Sequence, residues 1–287
     1  MKMFPFVLCA LSLLGLGARA DAAVLYASSA AGGPGNLYIL DAATGATVQN
    51  IGALNNVAGA NYPITGLAFH PTTGVLYGST GNNPATTAAR LVTINPATAM
   101  VTEIGAFNAG PVNSSGTPST MADLDFDSAG NLYGVGSIGG PQLYSINVAT
   151  GQATAIGTTG LTSTTGGGLG ISPGGVFYGT PTASRYGTYN SGTGAYTDIA
   201  NPAKPAGGGG YGSLAFDGGV LYGLNVGPGS PPPTHLVTID LATGVVTGLG
   251  AAVNSLDAIA FRIPEPGSLA MLAIAALALT TMRWQDR

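Results

Sequence analysis

The sequence predicts an all-β, five-bladed β-propeller closed by strands from both termini. Three observations carry this: two short phrases recur along the body, their turn chemistry recurs with them, and the two halves of one incomplete phrase sit at opposite ends. The body should span residues 24–262. A signal peptide (1–20) should precede it, and a C-terminal segment (264–287) should follow, with a hydrophobic helix and a basic end.

The first phrase reads strand, turn, strand. It occurs as "LAFHPTTGVLYGS" (67–79), "LDFDSAGNLYGVG" (124–136), "LGISPGGVFYGT" (169–180) and "LAFDGGVLYGL" (214–224). The second is a hairpin, occurring as "LYILDAATGATVQNIG" (37–52), "LVTINPATAMVTEIG" (91–105), "LYSINVATGQATAIG" (143–157), "YGTYNSGTGAYTDIA" (186–200) and "LVTIDLATGVVTGLG" (236–250). Five hairpins face four complete first phrases. "VLYASS" (24–29) supplies the second strand of a fifth and "LDAIAF" (256–261) supplies its first. The ends should therefore meet in one blade, and radial repetition leaves few open strand edges. Tyr26, Tyr77, Tyr133, Tyr178 and Tyr222 mark the blades at spacings of 51, 56, 45 and 44.

Each element has a local reason. Side chains alternate faces along a strand, so Leu67 and Phe69 point one way and Gly66, Ala68 and His70 the other. The small side should permit close approach near the ring axis or between blades. The hairpins open on Asp41, Asn95, Asn147, Asn190 and Asp240, whose side chains can bond back to the turn. They close on Gly45, Gly151, Gly194 and Gly244, which tolerate positive φ, with Ala99 as the exception. Ala99 is expected to sit at positive φ at a cost of about 1 kcal/mol. The segments 32–36, 79–90, 107–120, 201–212 and 225–235 are rich in Gly, Pro, Ser and Thr, as blade-rim loops should be. Residues 230–234, "SPPPT", suit a short polyproline II spacer.

Composition narrows the function. Charged residues are 7 % of the chain and the net charge is −4, against about 25 % charged in a typical soluble protein. No Lys/Arg cluster exists in the body, which argues against nucleic acid as a partner. At 45 % hydrophobic residues the chain can build a packed core despite its 47 glycines. The leader has Lys2, an apolar run from Phe4 to Leu16 and small residues at Ala18 and Ala20. Signal peptidase should cut after Ala20, with Ala22 as the alternative. Cys9, the only cysteine, lies in that leader and not behind a lipobox, so no disulfide staples the body.

Motifs that would carry chemistry are few. His70 and His235 are the only histidines, too few for a zinc site without cysteines. There is no G-x-S-x-G elbow, and the Gly runs lack the Lys and the helix of a phosphate loop. No resident cofactor is expected. The one constellation is "MADLDFDSAGN" (121–131). Asp123, Asp125 and Asp127 alternate, so on a strand they share a face. Other blades carry Gly, Ala or Ser at the positions of Asp123 and Asp125. Asp127 matches Asp217 and is more simply a turn former. Asp123 and Asp125 could be bonded to backbone amides or face solvent in the channel, could hold Ca²⁺, or could act as acid and base. An EF-hand is excluded because its twelfth position would be Gly134. Asp257 is the only other acid placed to approach the same axis.

The end, "IPEPGSLAMLAIAALALTTMRWQDR", resembles a PEP-CTERM sorting signal: Pro264, Glu265 and Pro266, one apolar segment, then Arg283 and Arg287. Residues 269–282 carry no charge and as a helix would rise about 21 Å, against a hydrocarbon core of about 30 Å. Trp284 suits the interface, and the arginines would stay cytoplasmic. Asp286 dilutes the basic cluster usual in that family. The resemblance implies transient anchoring in the inner membrane of a Gram-negative, exopolysaccharide-making bacterium. It further implies recognition by an exosortase, with removal of the tail near Pro264–Pro266. The body phrases are similar to the YVTN-like or quinoprotein-like blades of bacterial surface propellers. The expected role is thus a surface or matrix module, structural or binding, associated with exopolysaccharide and not an enzyme. The alternative is a secreted glycoside hydrolase or lyase using the channel carboxylates Asp123, Asp125 and Asp257.

Overall fold

The computed structural model describes residues 23–30, 33–82, 85–108, 120–136, 142–161 and 167–262. The leader with Ala18 and Ala20, and the tail with Pro264, Glu265, Pro266, Arg283 and Arg287, lie outside these residues. Among the described residues no helix is long and apolar enough to cross a membrane.

Twenty strands form five four-stranded antiparallel sheets. Blade 1 combines β1 (Val24–Ser29), β2 (Asn36–Leu40) and β3 (Thr47–Ala53) with a strand from the far end of the body. Blade 2 is β4 (Ile64–Phe69), β5 (Leu76–Thr80), β6 (Arg90–Ile94) and β7 (Val101–Ala106). Blade 3 is β8 (Met121–Phe126), β9 (Leu132–Gly136), β10 (Gln142–Ile146) and β11 (Ala153–Thr158). Blade 4 is β12 (Gly168–Ile171), β13 (Phe177–Thr180), β14 (Tyr186–Tyr189) and β15 (Tyr196–Ala200). Blade 5 is β16 (Gly210–Asp217), β17 (Val220–Val226), β18 (Thr234–Ile239) and β19 (Val246–Ala252). The last strand, β20 (Leu256–Arg262), completes blade 1 by pairing with β1 from Val24↔Arg262 to Ser29↔Leu256. The five-bladed ring closed by both ends is thus the observed fold.

The turns form as their residues dictate. All five hairpin openers accept an amide bond from the residue two further on: Asp41 (2.8 Å), Asn95 (2.9 Å), Asn147 (2.9 Å), Asn190 (3.0 Å) and Asp240 (3.1 Å). All five closers have positive φ, including Ala99 at 59°. A Cβ on Gly151 would lie 2.6 Å from the Gly105 carbonyl oxygen of the preceding blade. Each hairpin therefore tucks against the previous blade's outer strand so closely that a side chain is excluded. At Ala99 the previous blade carries an insertion instead. Leu54 packs in the same core cluster as Ala99, and the Val101 amide bonds the Asn55 carbonyl (2.9 Å).

The blade tyrosines knit the ring. Tyr26 meets Phe69, Tyr77 meets Phe126, Tyr133 meets Phe177, Tyr178 meets Phe216 and Tyr222 meets Phe261, with centroids 4.7–5.8 Å apart. One aromatic pair thus bridges every blade boundary, each contributing about 0.5–1.5 kcal/mol beyond the area it buries.

Candidate functional site

The inner strands β4, β8, β12, β16 and β20 surround the axis. At one mouth of the ring each contributes one residue at an equivalent position: Thr65, Ala122, Gly167, Gly212 and Asp257. In four of the five blades that residue is bulged, skipped in the pairing with the second strand. Gly167 stands just before β12. A bulge re-aims its side chain away from the ladder, here toward the axis. The next level down holds Gly66, Asp123, Gly168, Ser213 and Ala258, and the level below that Ala68, Asp125, Gly170, Ala215 and Ala260.

The second level is filled, and Asp123 fills much of it. Its carboxylate is fully buried. One oxygen, Oδ2, accepts the amides of Leu169 (2.9 Å) on β12 and Leu214 (3.0 Å) on β16. The other accepts the Ser213 hydroxyl (3.2 Å), whose own Oγ accepts the Ile259 amide (3.1 Å) on β20. One carboxylate thus ties blade 3 to blades 4 and 5 and, through Ser213, to blade 1. Burial pushes its pKa well above the ordinary carboxylate range, against the lowering pull of the amides; the charge of Asp125 adds a smaller upward push. Asp125 sits one level down. It accepts the Ile171 amide (2.7 Å) through Oδ2 and its neighbour Phe126's amide (2.8 Å) through Oδ1. Burial raises its pKa to about 7. These amides belong to the inner edges of β12 and β16, where no further strand exists to pair them. An unpaired buried amide is costly, so the aspartates serve as the missing acceptors.

Glycine makes the approach possible. A Cβ on Gly66 would lie 2.8 Å from Asp123 Cα and from the Leu124 amide nitrogen. Asp127 does not join its two predecessors, because β8 ends at Phe126. It caps the following turn by accepting the amides of Ala129 (3.0 Å) and Asn131 (2.8 Å), which lower its pKa despite an opposing desolvation. His70 likewise serves a turn, its Nδ1 accepting the amides of Thr72 and Thr73. His235 lies in β18, opposite Asn225 and Ala251. Among the described residues no group of three His, Cys, Asp or Glu side chains could hold a metal.

Above Asp123 the mouth opens into a cavity of about 680 Å³, within the roughly 300–1,000 Å³ usual for small-ligand sites. Its floor is the ring of five equivalent positions, and its walls include the Gly209–Gly210 stretch together with Met121, Tyr211 and Val226. Asp257 is the only charged residue lining it among the described residues. Burial alone raises its pKa to about 7. Among the described residues no hydrogen bond or ion pair engages its carboxylate. Gly212 leaves it room, since a Cβ there would lie 2.7 Å from Asp257 Oδ1. Tyr211 shares the wall, but its hydroxyl is bound to the Ala203 carbonyl (2.6 Å). The three acids singled out from the sequence are therefore stacked at three levels of the axis. Two are tied to backbone and one is free. The ring of bulged positions was not read from the sequence. Aligning the residue that precedes each axis position would have shown Asp257 among Thr, Ala, Gly and Gly.

The family model described as a repeat of unknown function, DUF6923, matches residues 25–219. The chain belongs to this family. The DUF6923 match runs from β1 to the turn after β16, so it covers the repeating blades and not a single site. No functionally curated protein matches the chain in sequence. Among solved structures it is similar to TolB from Acinetobacter baumannii (13 % identity, TM-score 0.44, covering 80 % of this chain and 52 % of that one). This chain thus spans about half the length of that TolB. It is also similar to a protein of unknown function from Bacteroides caccae (11 % identity, TM-score 0.46, covering 85 % and 100 %). A third is a puromycin hydrolase mutant complexed with PGG (16 % identity, TM-score 0.38, covering 67 % and 29 %).

Proposed function

We propose that this DUF6923 protein is an exported cell-surface or matrix module that binds exopolysaccharide at the mouth of its ring and is delivered there by exosortase sorting. The observation that carries the binding part is the mouth cavity. Small residues and hydroxyls line it together with Met121, Tyr211 and Val226, and it holds a single carboxylate, Asp257, that no other described residue binds. Such a surface offers hydrogen bonds to a hydroxyl-rich, mostly uncharged chain. The sorting part rests on the Pro264-Glu265-Pro266 tail and the leader. Binding is preferred to glycan cleavage because hydrolysis needs two free carboxyl groups flanking one bond. Asp123 and Asp125 are engaged by amides, and Asp257 has no second carboxylate beside it in the cavity.

Affinity electrophoresis tests the reading. The purified protein should be retarded in gels cast with exopolysaccharide from a Gram-negative host, without releasing reducing ends. Migration unchanged by every polysaccharide tried would overturn the binding claim. Release of reducing ends that disappears in Asp257→Asn would replace it with an enzymatic one. Intact-mass analysis of the protein from its host should show loss of residues 1–20 and cleavage near Pro264–Pro266.

A further inference from the structure

Resting on the polysaccharide reading, we propose that the cavity recognises a primary ammonium group on an otherwise uncharged sugar chain, that is, a non-acetylated amino sugar, with Asp257 as its anionic anchor. The first observation is positional. Four of the five equivalent bulge residues are Thr, Ala or Gly, so the ring floor is small and nearly uncharged at every blade but one. The repeat does not require an acid there, and blade 1 alone supplies one. The second is the absence of an internal partner. Asp123 and Asp125, one and two levels deeper, are held by amides of neighbouring blades, whereas no described residue holds the Asp257 carboxylate. The third is the close approach of β16: a Cβ on Gly212 would lie 2.7 Å from both the backbone oxygen and the carboxylate Oδ1 of Asp257, so glycine there keeps the two strands and the carboxylate together.

The lining then selects the ligand class. No Lys, Arg or His lines the cavity among the described residues, so none of these competes for the carboxylate. Lys204, on the segment before β16, is turned to the Asn201 side chain (3.2 Å). A divalent cation wants six to eight oxygen ligands with several carboxylates among them, and one carboxylate does not meet that. A monovalent ammonium needs one. It also forms a charge-assisted hydrogen bond, roughly twice as strong as a neutral one, with a partly desolvated acid. Neutral hydroxyls of the same sugar chain would meet the exposed backbone of the glycine walls and the Asn82 side chain, which is exposed at the rim. Among the described residues the only other titratable group on the wall, Tyr211, donates its hydroxyl to the Ala203 carbonyl. Burial holds Asp257 largely protonated below pH 7, so seating an ammonium should expel that proton.

Calorimetric titration of the purified protein with a tetramer of glucosamine, and with the fully N-acetylated tetramer, tests this. At pH 6 the glucosamine tetramer should bind at least 10-fold more tightly. Its binding heat should vary with the buffer's ionisation enthalpy as expected for release of close to one proton per ligand. In Asp257→Asn the preference for the glucosamine tetramer should vanish. Equal binding of both tetramers to the unsubstituted protein would overturn ammonium recognition and leave the polysaccharide reading standing. If neither tetramer binds although the protein is retarded by neutral exopolysaccharide, ammonium recognition again falls alone. If nothing binds in either experiment, both readings fall. The proton count is taken on the unsubstituted protein, so the test does not depend on the variant folding.

Discussion

At the scale of single residues, the central fact is that a carboxylate does the work of a missing strand. Asp123 Oδ2 takes two buried amides from two different blades. Asp123→Ala would leave both without an acceptor. At about 1–3 kcal/mol for each buried unsatisfied group, the loss should be about 2–6 kcal/mol, read from a urea unfolding midpoint. Asp123→Asn should lose far less, because its amide oxygen can accept both bonds and its NH₂ can donate to Ser213. The same residues set a pH dependence whose sign runs against the common case for acids. Asp125 has a folded pKa of about 7 against about 4 unfolded. Between those values the folded state holds a proton that the unfolded state has released, so stability falls as pH rises and levels off above pH 7. Asp123 pushes in the same direction. The protein should melt at a higher temperature at pH 4.5 than at pH 8, and Asp125→Asn should flatten that slope. A melting temperature that rises from pH 4.5 to pH 8 would show that these acids stay ionised in the folded protein.

At the scale of the element, the hairpin turn separates two roles of its closing residue. Gly151 needs both positive φ (78°) and the absence of a Cβ, which would sit 2.6 Å from the Gly105 oxygen. Gly151→Ala should therefore cost about 1–2 kcal/mol for the left-handed backbone and more for displacing the neighbouring strand. Ala99→Gly should be close to neutral. It relieves a similar backbone cost but gives up about 0.8 kcal/mol of buried methyl and about 0.5–1 kcal/mol of unfolded-chain entropy. Denaturant midpoints of the two variants would check the asymmetry, and a gain for Ala99→Gly equal to the loss for Gly151→Ala would show that backbone conformation alone decides both. The turn was legible in the sequence because its chemistry is local: Asn95, Asp41 and their counterparts bond amides two and three residues away. The Tyr marks and the split blade were legible for a similar reason, since the repeat prints them at near-constant spacing. The acceptor role of Asp123 was open because its partners are backbone amides 46 and 91 residues away, which carry no side-chain signature. The cavity was not legible either. A bulge adds a residue without changing residue type, so Thr65, Ala122, Gly212 and Asp257 share a position but no chemistry.

At the scale of the whole molecule, closure is the property to test. Every blade boundary is bridged by one Tyr–Phe pair, and the axis amides of one blade are satisfied by side chains of another. Stability is therefore shared around the ring and is not the sum of five independent sheets. The seam is blade 1, where β20 arrives last and supplies both the inner strand and Phe261, the partner of Tyr222 in blade 5. A chain ending at Val253 would leave β1 unpaired on its inner side from Val24 to Ser29. It would also remove Ile259, whose amide binds Ser213, and one of five aromatic bridges. A chain ending at Arg262 keeps all twenty strands and lacks only residues 263–287. Calorimetry should therefore show a single sharp transition for the chain ending at Arg262, within a few degrees of the protein that retains residues 264–287. The chain ending at Val253 should show a broad transition or none. Equal, sharp transitions for both truncations would mean that four blades and an open fifth suffice, and that the exchange of strands between the termini is not what holds the ring shut.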